Sequence, residues 1–311
     1  MTRNVIIGGI LWVALTVGSV LGLLRSGTIE LLFLLAPLVV VPLGLELSAR
    51  LRHDDQNHVP ASFARWHLPA SLCVMASFWF PQGTGAAILA LPWCSFGCFL
   101  GIWGLVRFVR GGFRSLKSIC EFMSFIYLPI GCAWLVASRY GLNPMGFQEP
   151  IVLLTAVHFH FAGFATPLLT AATAATIERR AVPTQQLFKV VGAGVLAGPG
   201  MLAAGFVIGP RLKLTAALLL VISEIGLASF FLLAVREIQP RLAQALVALS
   251  AASVLIAMVF AGVWAVGEFP LQPFVHLAEM ARFHGTANAL GFTTCGLLGW
   301  TISARGKGAA S

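Results

Sequence analysis

Ten stretches of about twenty mostly apolar residues run through the chain, roughly at 5–24, 29–49, 67–82, 84–106, 119–138, 150–175, 189–209, 214–235, 245–267 and 281–302. A helix rises about 1.5 Å per residue and the hydrocarbon of a bilayer is about 30 Å thick, so one such stretch crosses once. Inside lipid every backbone amide must find its partner within the protein, which leaves helices or closed barrels. Stretches of about twenty residues select helices, because membrane strands need only about ten. Hydrophobic residues make up 58% of the 311 and charged residues 10%, with a mean hydropathy of +0.90. No soluble domain of that size hides so much apolar surface, so lipid must cover it. The expectation is an all-α, polytopic transmembrane helix bundle of about ten helices, a single integral membrane domain over residues 1–311. The third stretch is short, and its boundary with the fourth, at Pro81-Gln82-Gly83, is the least distinct. The N-terminal run to Leu24 is too long for a signal-peptide core, and Leu24-Arg25-Ser26-Gly27 is a poor cleavage site, so it reads as a first membrane helix that stays.

The charges set an orientation. With the N-terminus inside, the cytoplasmic segments hold Arg3; Arg50, Arg52 and Arg65; Arg107, Arg110, Arg114 and Lys117; Arg179, Arg180 and Lys189; Arg236 and Arg241; Arg305 and Lys307. The opposite side holds Arg25, Arg139, Arg211, Lys213 and Arg282. Fifteen against five fits the positive-inside rule, with an even number of crossings and both termini cytoplasmic in a bacterial inner membrane. The same asymmetry accounts for the net charge of +9 without a nucleic-acid partner. The six cysteines lie in or beside apolar stretches and form no CxxC pair, so they read as small hydrophobes. The polar segment Leu51-Arg52-His53-Asp54-Asp55-Gln56-Asn57-His58 alternates both signs of charge and reads as a solvated loop. No internal repeat and no linker separates the chain into parts.

Polar groups inside the apolar stretches are the functional signal, because an ionisable side chain in hydrocarbon is costly and usually marks a pathway or a site. His158 and His160 share one stretch, Thr155-Ala156-Val157-His158-Phe159-His160-Phe161. Two apart, they point about 200° from each other on a helix, which gives them different roles. Glu224, in Ser223-Glu224-Ile225, is a carboxylate well inside an apolar stretch. His284 and Asn288 lie four apart on one face, which Gly291 and Cys295 continue with small residues. Under the expected topology all of these enter from the non-cytoplasmic side, and depth allows them to meet in one pocket. Glu279 and Arg282 suit an i,i+3 pair at the surface. Gly198-Pro199-Gly200 is a candidate helix break, since proline removes a helical hydrogen bond, and the alternative is a kink with close packing. Glu46, Glu121, Glu149, His67 and His276 sit near the ends of stretches, where the interface solvates them. Tyr127, mid-stretch beside Pro129, needs a hydrogen-bond partner.

Three segments resemble the YndJ-like family of bacterial membrane proteins. They are Ile126-Tyr127-Leu128-Pro129-Ile130-Gly131-Cys132-Ala133-Trp134-Leu135, Ile151 to Phe164 around His158-Phe159-His160, and His284-Gly285-Thr286-Ala287-Asn288-Ala289-Leu290-Gly291-Phe292. The resemblance runs from about residue 119 to 300. It implies a polytopic membrane protein, and it carries no substrate with it.

Three functions fit these residues. A small-molecule permease explains the buried polar groups, with proton coupling through His158, His160 and Glu224. No P-loop is present, so energy coupling by ATP within the chain is not expected. A membrane-embedded enzyme would use Glu224 and a histidine as acid and base on a lipid-soluble substrate. In a redox version His158, His160 and His284 would ligate haem or copper. A structural or sensory subunit would use the same residues only for packing. The permease is the leading expectation, with the bilayer as its surroundings, a solute of unspecified chemistry, no resident metal and no cofactor.

Overall fold

The computed structural model of the protein describes residues 2–51, 61–111, 115–269 and 274–308. The polar loop from Arg52 to His58, and Arg114, lie outside the described residues. Among the described residues the fold is all helical, with ten helices and no strand. We number them α1 Arg3–Val20, α2 Thr28–Leu51, α3 Ala61–Ser77, α4 Thr84–Gly111, α5 Leu116–Tyr140, α6 Ile151–Ile177, α7 Val182–Ile208, α8 Pro210–Ala234, α9 Arg241–Glu268 and α10 at 277–308. The ten expected stretches each fall on one helix. Eight helices, all but α3 and α10, are long and apolar enough to cross a membrane. The short third stretch is shifted: the helix begins at Ala61, six residues before the expected start, and ends at Ser77 with Phe78–Phe80 in a turn. Apolar side chains on the outer faces, such as Ile10, Val190, Ile222 and Val259, are more than 60% exposed, which in a bilayer is contact with lipid.

The chain forms two compact units. The first comprises residues 1–112 and 122–165, the second residues 113–121 and 166–311. Helix α6 gives its first half to one and its second half to the other. In the second unit α7 and α8 form the most extensive helix pair. Helix α9 runs antiparallel to both α8 and α10. Gln244 near its start bonds the carbonyl of Val235 at 3.1 Å, and Glu268 at its end pairs with Lys213 at 2.9 Å. On its other side Ala257 meets His284, and Ser250 meets Phe292.

Prolines do not end these helices. Helix α7 remains helical from Val182 to Ile208, with Gly198-Pro199-Gly200 inside it. Gly194, Gly198 and Gly205 lie against α8, where a side chain at Gly198 would strike Leu220. The irregular backbone is elsewhere, in wide π turns at Ala36–Val40 in α2, Phe159–Ala165 in α6, and Ala281–Gly285 and Ala287–Thr294 in α10. The first has a cause legible in the chain. Pro37 and Pro42 both lack an amide proton. The Val41 amide bonds back five residues to Ala36, which deprives Pro37 of its usual partner. Pro42 offers nothing to Leu38 either, and the Leu38 carbonyl lies against Gly8 of α1.

Two adjacent glycines of α1 therefore differ sharply. A methyl at Gly8 would collide with the Leu38 carbonyl, whereas one at Gly9 meets nothing within 4 Å. We expect Gly8→Ala to cost about 1–3 kcal/mol, as overpacking does. Gly9→Ala should be neutral or stabilising by up to about 1 kcal/mol, since alanine favours the helix. Thermal unfolding of the detergent-purified protein reads both. Equal effects would show that α1 does not seat on α2 at this point.

Candidate functional site

In the first unit two imidazoles are drawn into the core around Trp93. Its indole Nε1–H donates to Nε2 of His160 at 3.1 Å, and the two rings stack 6.1 Å apart. Nδ1 of His160 lies 2.8 Å from the carbonyl of Ala156. The pattern fixes one neutral tautomer: Nδ1–H donates to the carbonyl, and Nε2 accepts from the indole. His160 is fully buried, with Phe33 edge-on at 5.2 Å and Cys132 Sγ 3.9 Å from Nε2. It needs a neighbour without a side chain, because a Cβ on Gly131 would come within 2.7 Å of Nδ1. Both ring nitrogens are thus committed to protein partners. His158 takes a different position, half-buried, with its ring edge-on to Phe159 at 5.5 Å.

His67 is the residue that sequence reasoning misplaced. Expected near an interface, it is 1% exposed inside α3, because that helix starts six residues earlier than its apolar stretch. Its Nε2 lies 2.8 Å from the Pro37 carbonyl, to which Ser71 Oγ also donates at 3.0 Å. These are the donors that replace the amides lost in the π turn of α2. The signal was present as His67 and Ser71 at i,i+4, on one helix face. The edge of Trp93 also meets His67, 5.9 Å away, so one indole joins both buried imidazoles.

Two carboxylates assigned to solvated ends, Glu46 and Glu121, are also buried, and so is Arg139, counted with the non-cytoplasmic charges. Arg139 donates to the carbonyls of Ser77 and Phe80 at 3.0 and 2.9 Å, stacks on Phe78 at 4.6 Å, and so caps the end of α3. Glu46 is 7% exposed, pairs with Arg50 at 2.9 Å and accepts the amide of Thr2 at 2.9 Å.

The second unit holds Glu224, His284 and Asn288. Glu224 is 2% exposed in α8, and its Oε2 has no hydrogen-bond partner among the described residues. Nδ1 of His284 lies 2.9 Å from the carbonyl of Ala257 in α9. Val221 lies beside Gly262, and the Val235 carbonyl meets Gln244, so the antiparallel register puts Glu224 opposite Ala257 and Met258. Glu224, His284 and Asn288 therefore share one level of this unit. Asn288 is half-buried. Glu279 does not pair with Arg282: it accepts the His276 amide at 3.0 Å at the start of α10, and Arg282 lies over Phe283. Among the described residues no group of three or more His, Cys, Asp or Glu is placed to hold a metal ion.

The family of YndJ-like proteins matches residues 31–292. The chain belongs to it. The match reaches well ahead of the segments around Tyr127, His158 and His284, and takes in α2, α3 and α4. A curated relative, the uncharacterized membrane protein YndJ of Bacillus subtilis (strain 168), is 26% identical over 213 residues. That alignment covers 68% of this chain and 38% of the relative. No solved structure matches. This YndJ-like chain is accordingly an integral, multi-pass membrane protein.

The core of its first unit makes a specific demand. Trp93→Phe keeps the ring but removes the donor to His160, leaving Nε2 buried and unpartnered. The expected cost is about 1–3 kcal/mol. It is measured as a lowered thermal midpoint in detergent. An unchanged midpoint would show that the indole–imidazole bond does not hold this core.

Proposed function

We propose that this protein is a proton-coupled permease for a small solute in a bacterial inner membrane, with Glu224 as the group that exchanges its proton. The carrying observation is the Glu224 carboxyl, almost fully buried in an apolar helix with one oxygen unpartnered. An isolated carboxylate in such surroundings is expensive. Glu224 therefore holds a proton until a hydrogen-bond donor or a cation arrives to take its place. A carboxyl that takes a proton from one side and yields it to the other carries protons downhill even without solute, and a solute donor competing for the same oxygen couples the two. His284 and Asn288 at the same level supply further donors and acceptors. The excess of basic residues in alternate loops supports both termini on the cytoplasmic side.

His160 has no part in this reading. A proton relay or a metal there would first have to break the bond from Trp93. The demand for a movable proton falls on the second unit, and the reading calls for no haem or copper.

Reconstitution into liposomes loaded with a pH-sensitive dye tests it. Under an inward proton gradient, with potassium and valinomycin to balance charge, the wild-type protein should acidify the lumen faster than empty liposomes. Glu224→Gln should slow uptake at least ten-fold, while the intrinsic tryptophan fluorescence and thermal midpoint stay in place. Wild-type vesicles no faster than empty ones, or a Glu224→Gln protein as fast as wild type, would sink the proposal.

A further inference from the structure

Besides Arg180 Nε, whose guanidinium pairs with Glu237 through another nitrogen, four buried polar atoms of the second unit have no hydrogen-bond partner among the described residues: Glu224 Oε2, Thr293 Oγ1, Trp300 Nε1 and Thr301 Oγ1. Their residues are 2%, 0%, 5% and 1% exposed. Three of the four stand on α10. Buried threonines of a helix ordinarily return their hydroxyl to a carbonyl of the preceding turn, as Thr170 does to Thr166 and Thr173 to Leu169 in α6. Thr293 and Thr301 make no such bond. A buried donor or acceptor left alone costs about 1–3 kcal/mol, and ordered water is its usual partner.

The positions are ordered along the helix. Thr293 and Trp300 are seven residues apart, two turns on one face. Phe231 of α8 touches both Phe292 and Trp300, with ring centroids 6.0 Å from each, so this stretch of α8 faces α10. Glu224 is two turns before Phe231 on α8, at the level of His284 and Asn288. From residue 284 to 301 the helix rises about 25 Å at 1.5 Å per residue, most of a bilayer about 30 Å thick.

We infer that α10 carries a file of internal water across the second unit. It runs from His284 and Asn288, past Glu224 and Thr293, to Trp300 and Thr301. The file deepens the permease reading, on which it rests for its purpose: it is the route by which protons reach and leave Glu224. Water of this kind accepts from Trp300 Nε1–H, donates to Glu224 Oε2 and does both at the two hydroxyls. The π turns of α10 fit this use, since wide turns loosen the backbone where polar groups must face inward.

Two measurements test the file separately from the permease. In the first, protein with ¹⁵N-labelled indoles is moved into D2O in detergent, and the Trp300 resonance is identified by its loss in Trp300→Phe (or Trp300→Tyr if Phe disturbs folding). Trp93 is the internal reference, because its N–H is held by His160. Trp300 should exchange at least ten-fold faster than Trp93. In the second, Thr293→Val should slow proton uptake by liposomes at least ten-fold. Thr294→Val should not, because the Thr294 hydroxyl is already bonded to the Ala289 carbonyl at 2.8 Å. A Trp300 signal as protected as that of Trp93, or uptake unchanged by Thr293→Val, overturns the file. If Glu224→Gln still abolishes uptake in that case, the permease stands without it. If the wild-type protein moves no protons, the permease reading falls and indole exchange alone decides whether the water is there.

Discussion

A carbonyl that has lost its amide inside a membrane has no water to turn to, and much of this structure follows from that. Pro37 and Pro42 strip the second helix of donors, and the backbone widens into a π turn that still leaves the Pro37 oxygen short. The donors come from the third helix, through His67 and Ser71. The seating of α3 is therefore set by polar chemistry as well as by apolar packing, and that explains why it begins ahead of its apolar stretch. The carbonyl of Phe292, within a π turn of α10, is met in the same way by Ser250 at 2.7 Å. Polar side chains in this protein complete a backbone that proline and wide turns have opened.

The fold was largely legible in the sequence because the bilayer enforces it. Length and hydropathy alone place ten helices, since twenty apolar residues can do little else. The register of polar residues was less legible. The rule that a charged group near the end of a stretch is solvated failed at Glu46 and Glu121, both buried, and Arg139, counted with the loop charges, is buried as a helix cap. It failed again at His67, because a boundary drawn from hydropathy alone cannot see a carbonyl on another helix. Spacing did separate His158 from His160, two residues apart. The identity of the partner, Trp93, is sixty-seven residues away in sequence and no local pattern points to it. The Gly198-Pro199-Gly200 segment drew attention as a break, while the wide turns lie in α2, α6 and α10. Proline in a helix removes one bond, and whether the helix widens depends on what neighbours offer in return.

Buried polar groups of two kinds result, and the difference bears on function. His160 and Ser250 have protein partners for their bonding atoms, and a side chain whose hydrogen bonds are completed by protein is a structural part. Completed networks rigidify a core. They are poor places for a proton or solute to pass, because every transfer must first break a bond that the lipid cannot replace. Glu224, Thr293, Trp300 and Thr301 are of the other kind. Their unmet bonding capacity would be a pure cost in a protein that only needed to fold, about 1–3 kcal/mol for each.

That cost is tolerable where the missing partner is mobile. A fixed side chain opposite Glu224 would satisfy its carboxyl once and permanently, and would end any exchange there. Leaving the oxygen open, at the level where His284 is tied to α9 through the Ala257 carbonyl, keeps a rigid frame around a group whose partner can change. The first unit invests its imidazoles in holding helices together, and the second keeps its carboxyl and hydroxyls available. A histidine pair in an apolar stretch is the more conspicuous feature of the sequence. On the permease reading the groups that matter are instead the unpartnered carboxyl of α8 and the unpartnered hydroxyls and indole of α10.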